Sequence, residues 1–179
     1  MDDIVFFDLE TKYLADEVGG WGNIPKMELA VAVTYSTADS AYHHFVEDQV
    51  AELADRLQKA DLVVGFNVRR FDYQVLQPYT DIPLQKLATV DMLQDLHRVL
   101  GFRVSLDAVA EATLGTSKSA DGIQAVHWFR RGEIDKVIAY CQQDVKVTRD
   151  VYEFGKRHGF VRYRDRYRGV RQVRVGWKT

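Results

Sequence analysis

The stretch Val5-Phe6-Phe7-Asp8-Leu9-Glu10-Thr11 constrains this chain more than any other. It is apolar enough for a buried strand, yet it ends in two carboxylates at i and i+2, which strand geometry sends to one face. Ile4 and Phe6 share that face, so Asp8 and Glu10 stand where a plain core strand carries aliphatic side chains. Unpaired buried charge is costly. Taken alone, the stretch has two readings: a strand running out into a polar loop, or a strand whose acids meet a hard cation.

The rest of the chain reads as strands and helices around that first strand. Residues 3 to 9 are followed by a loop through Gly19-Gly20-Trp21-Gly22-Asn23-Ile24-Pro25, too rich in breakers for regular structure and a candidate lip of any site at Asp8 and Glu10. Glu28 to Tyr35 and Ala41 to Val46 are strand-like across a short polar turn, which predicts an antiparallel meander with the first strand. Val50 to Ala60 has helical spacing, and Asp61 to Phe66 is a short buried strand leading through Asn67 to a helix from about Arg70 to Leu76. Leu87 to Val90 reads as a further short strand, followed by helices over Asp91 to Leu100, Ser105 to Leu114 and Ile123 to Arg131. Ser105 and Asp91 are the caps of two of these helices. The longest helix runs from Glu133 to about His158, with an apolar arc of Ile134, Val137, Ile138, Cys141, Val145 and Val151, and Asp144 falls inside that arc. Three strands followed by alternating strand and helix predict a mixed sheet flanked by helices, in one domain over residues 1–159.

Carboxylates thus occur in three places where structure alone does not ask for them. Asp8 and Glu10 end the first strand, Asp72 opens a helix, and Asp144 interrupts a buried face. A strand adjacent to the first delivers Asp72 to the same end of the sheet, and a helix packed across that end delivers Asp144. Four converging carboxylates raise one another's pKa, and two divalent cations with all-oxygen ligands, Mg²⁺ or Mn²⁺, would neutralise them. Each acid also has a plainer reading: Asp72 as an acid favoured by a helix N-terminus, Asp144 as the partner of an Arg or Lys from the tail.

These motifs together resemble the DEDD family of 3'-5' exonucleases. Phe7-Asp8-Leu9-Glu10-Thr11 looks like its first motif, Asn67 through Asp72 to Leu76 its second, and Tyr140-Cys141-Gln142-Gln143-Asp144 its third, in the expected order over roughly residues 3 to 158. Tyr140 lies four residues before Asp144, as in the DEDDy branch, while the position that is His in the DEDDh branch is Ala139. The third motif and the stretch from Leu114-Gly115 are similar to stand-alone or helicase-associated exonucleases akin to the family B polymerase proofreading domain. The resemblance implies an α/β ribonuclease H-like three-layer fold, with a mixed five-stranded central sheet flanked by helices. It also implies hydrolysis with two metals, Asp8, Glu10, Asp72 and Asp144 as ligands and Tyr140 orienting the attacking water. Thr11 is then expected at the terminal 3'-hydroxyl, with Asn67 and Lys118 near the substrate; Trp21 and Tyr13 are both candidates to stack on the terminal base. The expected substrate is nucleic acid with a free 3' end, single-stranded DNA foremost, and a helicase or polymerase is an expected partner.

Composition sets the frame for this reading. The chain has 179 residues and a net charge of −2, but from Lys156 onward nine Lys and Arg face the single acid Asp165. Residues 160–179 therefore form a basic extension, and the alternation of Arg162, Arg164, Arg166 and Arg168 with Val170 to Val175 beyond predicts a β-hairpin whose arginines, Arg162 and Arg164 among them, follow a phosphate backbone. A single cysteine, Cys141, excludes an internal disulfide or a cysteine zinc site, and its core position makes it inert. With no apolar run of membrane length, no membrane association is expected, and the expected location is the cytoplasm. Two other classes stay open: a ribonuclease H-like endonuclease or resolvase, and a nucleic-acid-binding domain of a larger helicase or polymerase assembly.

Overall fold

A computed structural model of the protein describes residues 2–116, 122–165 and 167–177. Strands β1 (Ile4–Thr11), β2 (Leu29–Ser36), β3 (Ala41–Phe45), β4 (Leu62–Gly65) and β5 (Thr89–Asp91) form one mixed sheet in the order β3-β2-β1-β4-β5. β1 is the central strand, antiparallel to β2 and parallel to β4. β2 and β3 pair antiparallel and β4 and β5 parallel, so this is an α/β fold with a mixed five-stranded sheet flanked by helices.

Alternation along β1 builds two cores. Ile4 and Phe6 pack on one face with Val137, Cys141 and Val145 of a long helix, α6 (Ile134–His158), while Val5, Phe7 and Leu9 pack on the other with Leu53 and Leu57 of α1 (Val50–Lys59) and Val75 and Leu76 of α2 (Asp72–Leu76). Asp8 and Glu10 thus continue the row that faces α6. The remaining helices are α3 (Met92–Leu100), α4 (Leu106–Leu114) and α5 (Gly122–Arg130). The Asp91 carboxylate accepts from the Gln94 N–H at 3.1 Å and the Ser105 hydroxyl from the Ala108 N–H at 3.2 Å, which starts α3 and α4 where capping chemistry asks.

Three expectations change. The breaker-rich loop after β1 is not irregular: it holds two 3-10 segments, Ala15–Val18 and Trp21–Met27, closed locally by bonds such as Gly20 N–H to the Ala15 carbonyl at 2.7 Å. Short i to i+3 turns need no hydrophobic period, so breaker content hid them. α2 begins at Asp72 rather than near Arg70, because Asn67 takes φ 70° and turns the chain first. The C-terminal hairpin pairs β6 (Phe160–Asp165) with β7 (Gly169–Arg174), a separate two-stranded sheet. Arg168 lies in the turn, not on the strand, because Asp165 accepts from the N–H groups of Tyr167 and Arg168, both at 2.8 Å, and ends β6 there. Arg166 lies outside the described residues.

The hairpin is docked rather than trailing. Thr113 of α4 donates to the Arg162 carbonyl at 3.0 Å and its hydroxyl accepts from the Arg162 N–H at 2.8 Å, while Val161, Tyr163 and Val173 enter the core with α6. Trp177 seals the join. Its ring stacks on Tyr152 at 5.7 Å, its indole N–H donates to Asp95 at 3.2 Å, and it lies so close to Gly155 that a Cβ there would sit 2.5 Å from ring carbons.

Candidate active site

The acidic end of β1 opens onto a cleft of about 470 Å³. Asp8, Glu10, Asp72 and Asp144 all line it, together with Thr11, Trp21, Phe66, Phe71 and Val126. Each acid comes from a different constraint. The pairing of β1 with β2 shifts register between Glu10 and Thr11, a bulge that bends the central strand just as it reaches the cleft. β4 runs parallel beside β1 and feeds the loop to α2, whose first residue, Asp72, accepts from the Leu9 N–H at 3.1 Å. That bond fixes the Asp72 carboxylate against β1. Asp144 projects from α6, and the Tyr140 hydroxyl one turn earlier is close enough to favour its ionised form.

Burial, not any ion pair, dominates the electrostatics. Asp8 is held well above the ordinary carboxylate range by burial and then by the charges of Asp72, Glu10 and Asp144; Glu10 is raised by burial, Asp144 and Asp72. Asp72 is raised by burial, and N–H donors, its own and that of Leu9, partly offset this. Asp144 is pushed up to about 7 by burial, partly offset by the nearby Tyr140 hydroxyl. Among the described residues no Lys or Arg pairs with any of the four. Among the described residues Asp144 is therefore not the partner of a tail arginine: Arg164 instead reaches Glu111 at 3.8 Å, and Arg162 stacks on Phe160 and Phe154 at 5.3 and 5.9 Å. Neither arginine lines the cleft.

A hard cation fits this donor set. Oxygens of Asp8 and Glu10 lie within 4.8 Å of each other and of the Cys141 sulfur. Cys141 is a neighbour and not a ligand of that kind: burial pushes its thiol well up, and the retained proton is donated to the Asp8 carbonyl at 3.3 Å and its carboxylate at 3.6 Å. The thiol thus steadies Asp8, a role its place on the core face of α6 did not reveal.

Other expected residues are distributed as follows. Thr11 lines the cleft, its hydroxyl donating to the Tyr13 carbonyl at 3.0 Å. Trp21 lines it and Tyr13 does not. Asn67 stands just outside, and its amide oxygen accepts from Arg103 at 2.8 Å. Lys118 lies outside the described residues. Asp91 does more than cap α3: it also accepts from the N–H groups of Asn67 at 2.9 Å and Arg69 at 3.0 Å, anchoring the loop that carries Asp72. The ends of parallel β4 and β5, where Gly65 and Asp91 pair, bring these together, a juxtaposition visible only once the sheet order is known.

A family model described as the RNase H superfamily matches residues 5–154, a span that begins in β1 and ends within α6. The chain belongs to the RNase H superfamily. Its fold is similar to that of the family B DNA polymerase from the hyperthermophilic archaeon Pyrobaculum calidifontis, with a TM-score of 0.65 at 16% identity over 87% of this chain. The match takes in 24% of the polymerase chain, so this RNase H superfamily chain spans about a quarter of that protein's length. No curated protein matches it. Superfamily membership and the acidic cleft support a nuclease, a hydrolase whose substrate is nucleic acid. Among the described residues no helix is long and apolar enough to cross a membrane.

Proposed function

We propose that this protein is a metal-dependent 3'-5' exonuclease of the DEDDy type, releasing nucleoside 5'-monophosphates from single-stranded nucleic acid, DNA foremost. The observation that carries the reading is the convergence of Asp8, Glu10, Asp72 and Asp144 on one cleft, with no cationic side chain among the described residues to neutralise them. Asp8, Glu10 and Asp144 would hold one divalent cation, Mg²⁺ or Mn²⁺, and Asp8 and Asp72 a second. When bound, the pair supplies Lewis-acid charge to the phosphodiester and makes water a competent nucleophile at neutral pH.

The chain's own groups do the rest. The Tyr140 hydroxyl and the Asp144 carboxylate, one helical turn apart, form a polar pair against which the attacking water is oriented. Water oxygen bonds to phosphorus, its proton passing to solvent, as the bond to the 3'-oxygen of the preceding nucleotide breaks, and that oxygen takes a proton from solvent and leaves as a hydroxyl. Trp128 packs edge-on to Tyr140 at 6.2 Å and limits where its hydroxyl can swing. Thr11, on the cleft wall, is the candidate to meet the terminal 3'-hydroxyl.

An end-labelled single strand incubated with Mg²⁺ or Mn²⁺ tests the proposal. The expected product is a ladder shortening from the 3' end, abolished by chelator, with covalently closed circular strands left intact. Cleavage of the circles would identify an endonuclease on the same scaffold instead.

A further inference from the structure

The cleft adjoins a second cavity, of about 310 Å³, lined by Trp21, Ile24, Asn67, Arg70, Phe71 and Arg103. Trp21 and Phe71 line both, with ring centroids 6.2 Å apart, so an aromatic pair forms the shared wall. Trp21 leaves 64% of its surface to solvent on a short 3-10 segment, a poor use of the largest apolar side chain unless something covers it. Arg70 and Arg103 are exposed, and among the described residues no carboxylate pairs with either, whereas Arg98, Arg130 and Arg131 each have one. Arg103 is nevertheless positioned: it donates to the Asn67 amide oxygen at 2.8 Å, and the Asn67 N–H is tied to buried Asp91. Two unneutralised guanidinium groups thus flank an open aromatic face directly beside the acidic cleft.

We propose that this second cavity is a subsite for the strand behind the terminal nucleotide, where Arg70 and Arg103 take backbone phosphates and Trp21 stacks on an unpaired base. The identification of that segment as the 5' side of the scissile bond rests on the exonuclease reading. A stacked base must be free of its complement, so the subsite selects a single strand and requires a duplex end to fray before it enters. Guanidinium groups suit the phosphates because their planar donors match phosphate oxygens in pairs.

The test compares binding of an eight-nucleotide single strand with that of a dinucleotide, by fluorescence anisotropy and competition in Ca²⁺, which accepts the same oxygen ligands with looser geometry. In the double variant Arg70→Gln/Arg103→Gln, affinity for the longer strand should fall about tenfold more than affinity for the dinucleotide. The slope of log affinity against log salt for the longer strand should also shrink by about 1.4, two contacts at about 0.7 each. Trp21→Phe should lose most of the tryptophan quenching that the longer strand produces in the wild-type protein. Equal weakening at both lengths, an unchanged salt slope, or quenching that survives Trp21→Phe would overturn the subsite. Failure of the exonuclease reading is separate, appearing as absence of 3' shortening by wild-type protein in Mg²⁺ or Mn²⁺ while length-dependent binding persists.

Discussion

Replacing Asp144 by Asn should strengthen the metal-free fold while removing its chemistry. The Asp144 carboxyl moves from an ordinary 3.8 to about 7 on folding, chiefly through burial. At about 1.36 kcal/mol per unit, keeping it ionised in the folded chain at pH 8 costs on the order of 4 kcal/mol. Below pH 3.8 the group is protonated in both states and the cost vanishes. From there to about pH 7 the unfolded chain has lost the proton that the folded chain retains, so stability falls as pH rises, and above 7 the full cost persists. Asn carries no charge, still offers an oxygen to the Tyr140 hydroxyl, and relieves Asp8 and Glu10 of one neighbouring charge. In chelator the variant should exceed wild type by about 2–4 kcal/mol at pH 8 and by about 1 kcal/mol at pH 5. Urea unfolding reads this as a midpoint higher by about 1–2 M at pH 8, for a slope near 2 kcal/mol/M. Saturating Mg²⁺ should narrow the gap, because an ion at a hundredfold its Kd adds about 2.7 kcal/mol to whichever protein holds it. A variant no more stable than wild type at pH 8, or an advantage that does not shrink at pH 5, would refute the account of a buried charge awaiting a counter-ion.

Tyr140→Phe keeps the ring against Trp128 but deletes the hydroxyl, so single-turnover cleavage should slow about 10²-fold while calorimetry finds metal binding retained; full rate would remove Tyr140 from the mechanism. Metal binding at pH 6.5 should release protons, measurable as a dependence of calorimetric heat on buffer ionisation enthalpy, because the raised carboxyls must shed theirs to take the ion, and the share from Asp144, whose pKa is pushed up to about 7, should fade by pH 9. No release at pH 6.5 would contradict the raised pKa values. Gly155→Ala drives a methyl into the Trp177 ring and should cost about 1–3 kcal/mol, seen in urea unfolding and as a change in tryptophan emission; unchanged stability would show that the ring yields freely.

What could be read from the chain and what could not divide along sequence distance. β1 was legible because its alternation of apolar residues and acids is a local pattern, and α3 and α4 because Asp91 and Ser105 cap them within three residues. The four acids were legible as exceptions: each is a charge where the local period asks for an apolar group or a simple cap. The 3-10 segments before β2 escaped because turns closed by their own backbone carry no period. The hairpin arginines are a mixed case. Their alternation is plain, and Phe160, two residues before Arg162 on the same strand face, is a local partner for its guanidinium, but Phe154 beside Arg162 and Glu111 beside Arg164 are partners that no local pattern discloses. Likewise the thiol of Cys141 meeting Asp8, and Asp91 holding Asn67 and Arg69, depend on which strands end side by side.

The placement of α6 also sets a schedule for synthesis. The contact between Cys141 and Asp8 closes a loop of 133 residues, whereas the bond from Leu9 to Asp72 closes one of 63. A chain emerging in order can therefore pair β1 with β2 and β4, and seat α1 and α2, long before the helix that covers the opposite face exists. That face carries Ile4, Phe6, Val31, Val33 and Val64, and at roughly 5–20 residues per second it waits several seconds for its cover. Those seconds are when the sheet is most exposed to wrong partners, and a chaperone has something to hold. The arrival of α6 ends the exposure and delivers Asp144 in the same movement, so an incomplete chain is at once the sticky form and the one with an incomplete acidic cluster.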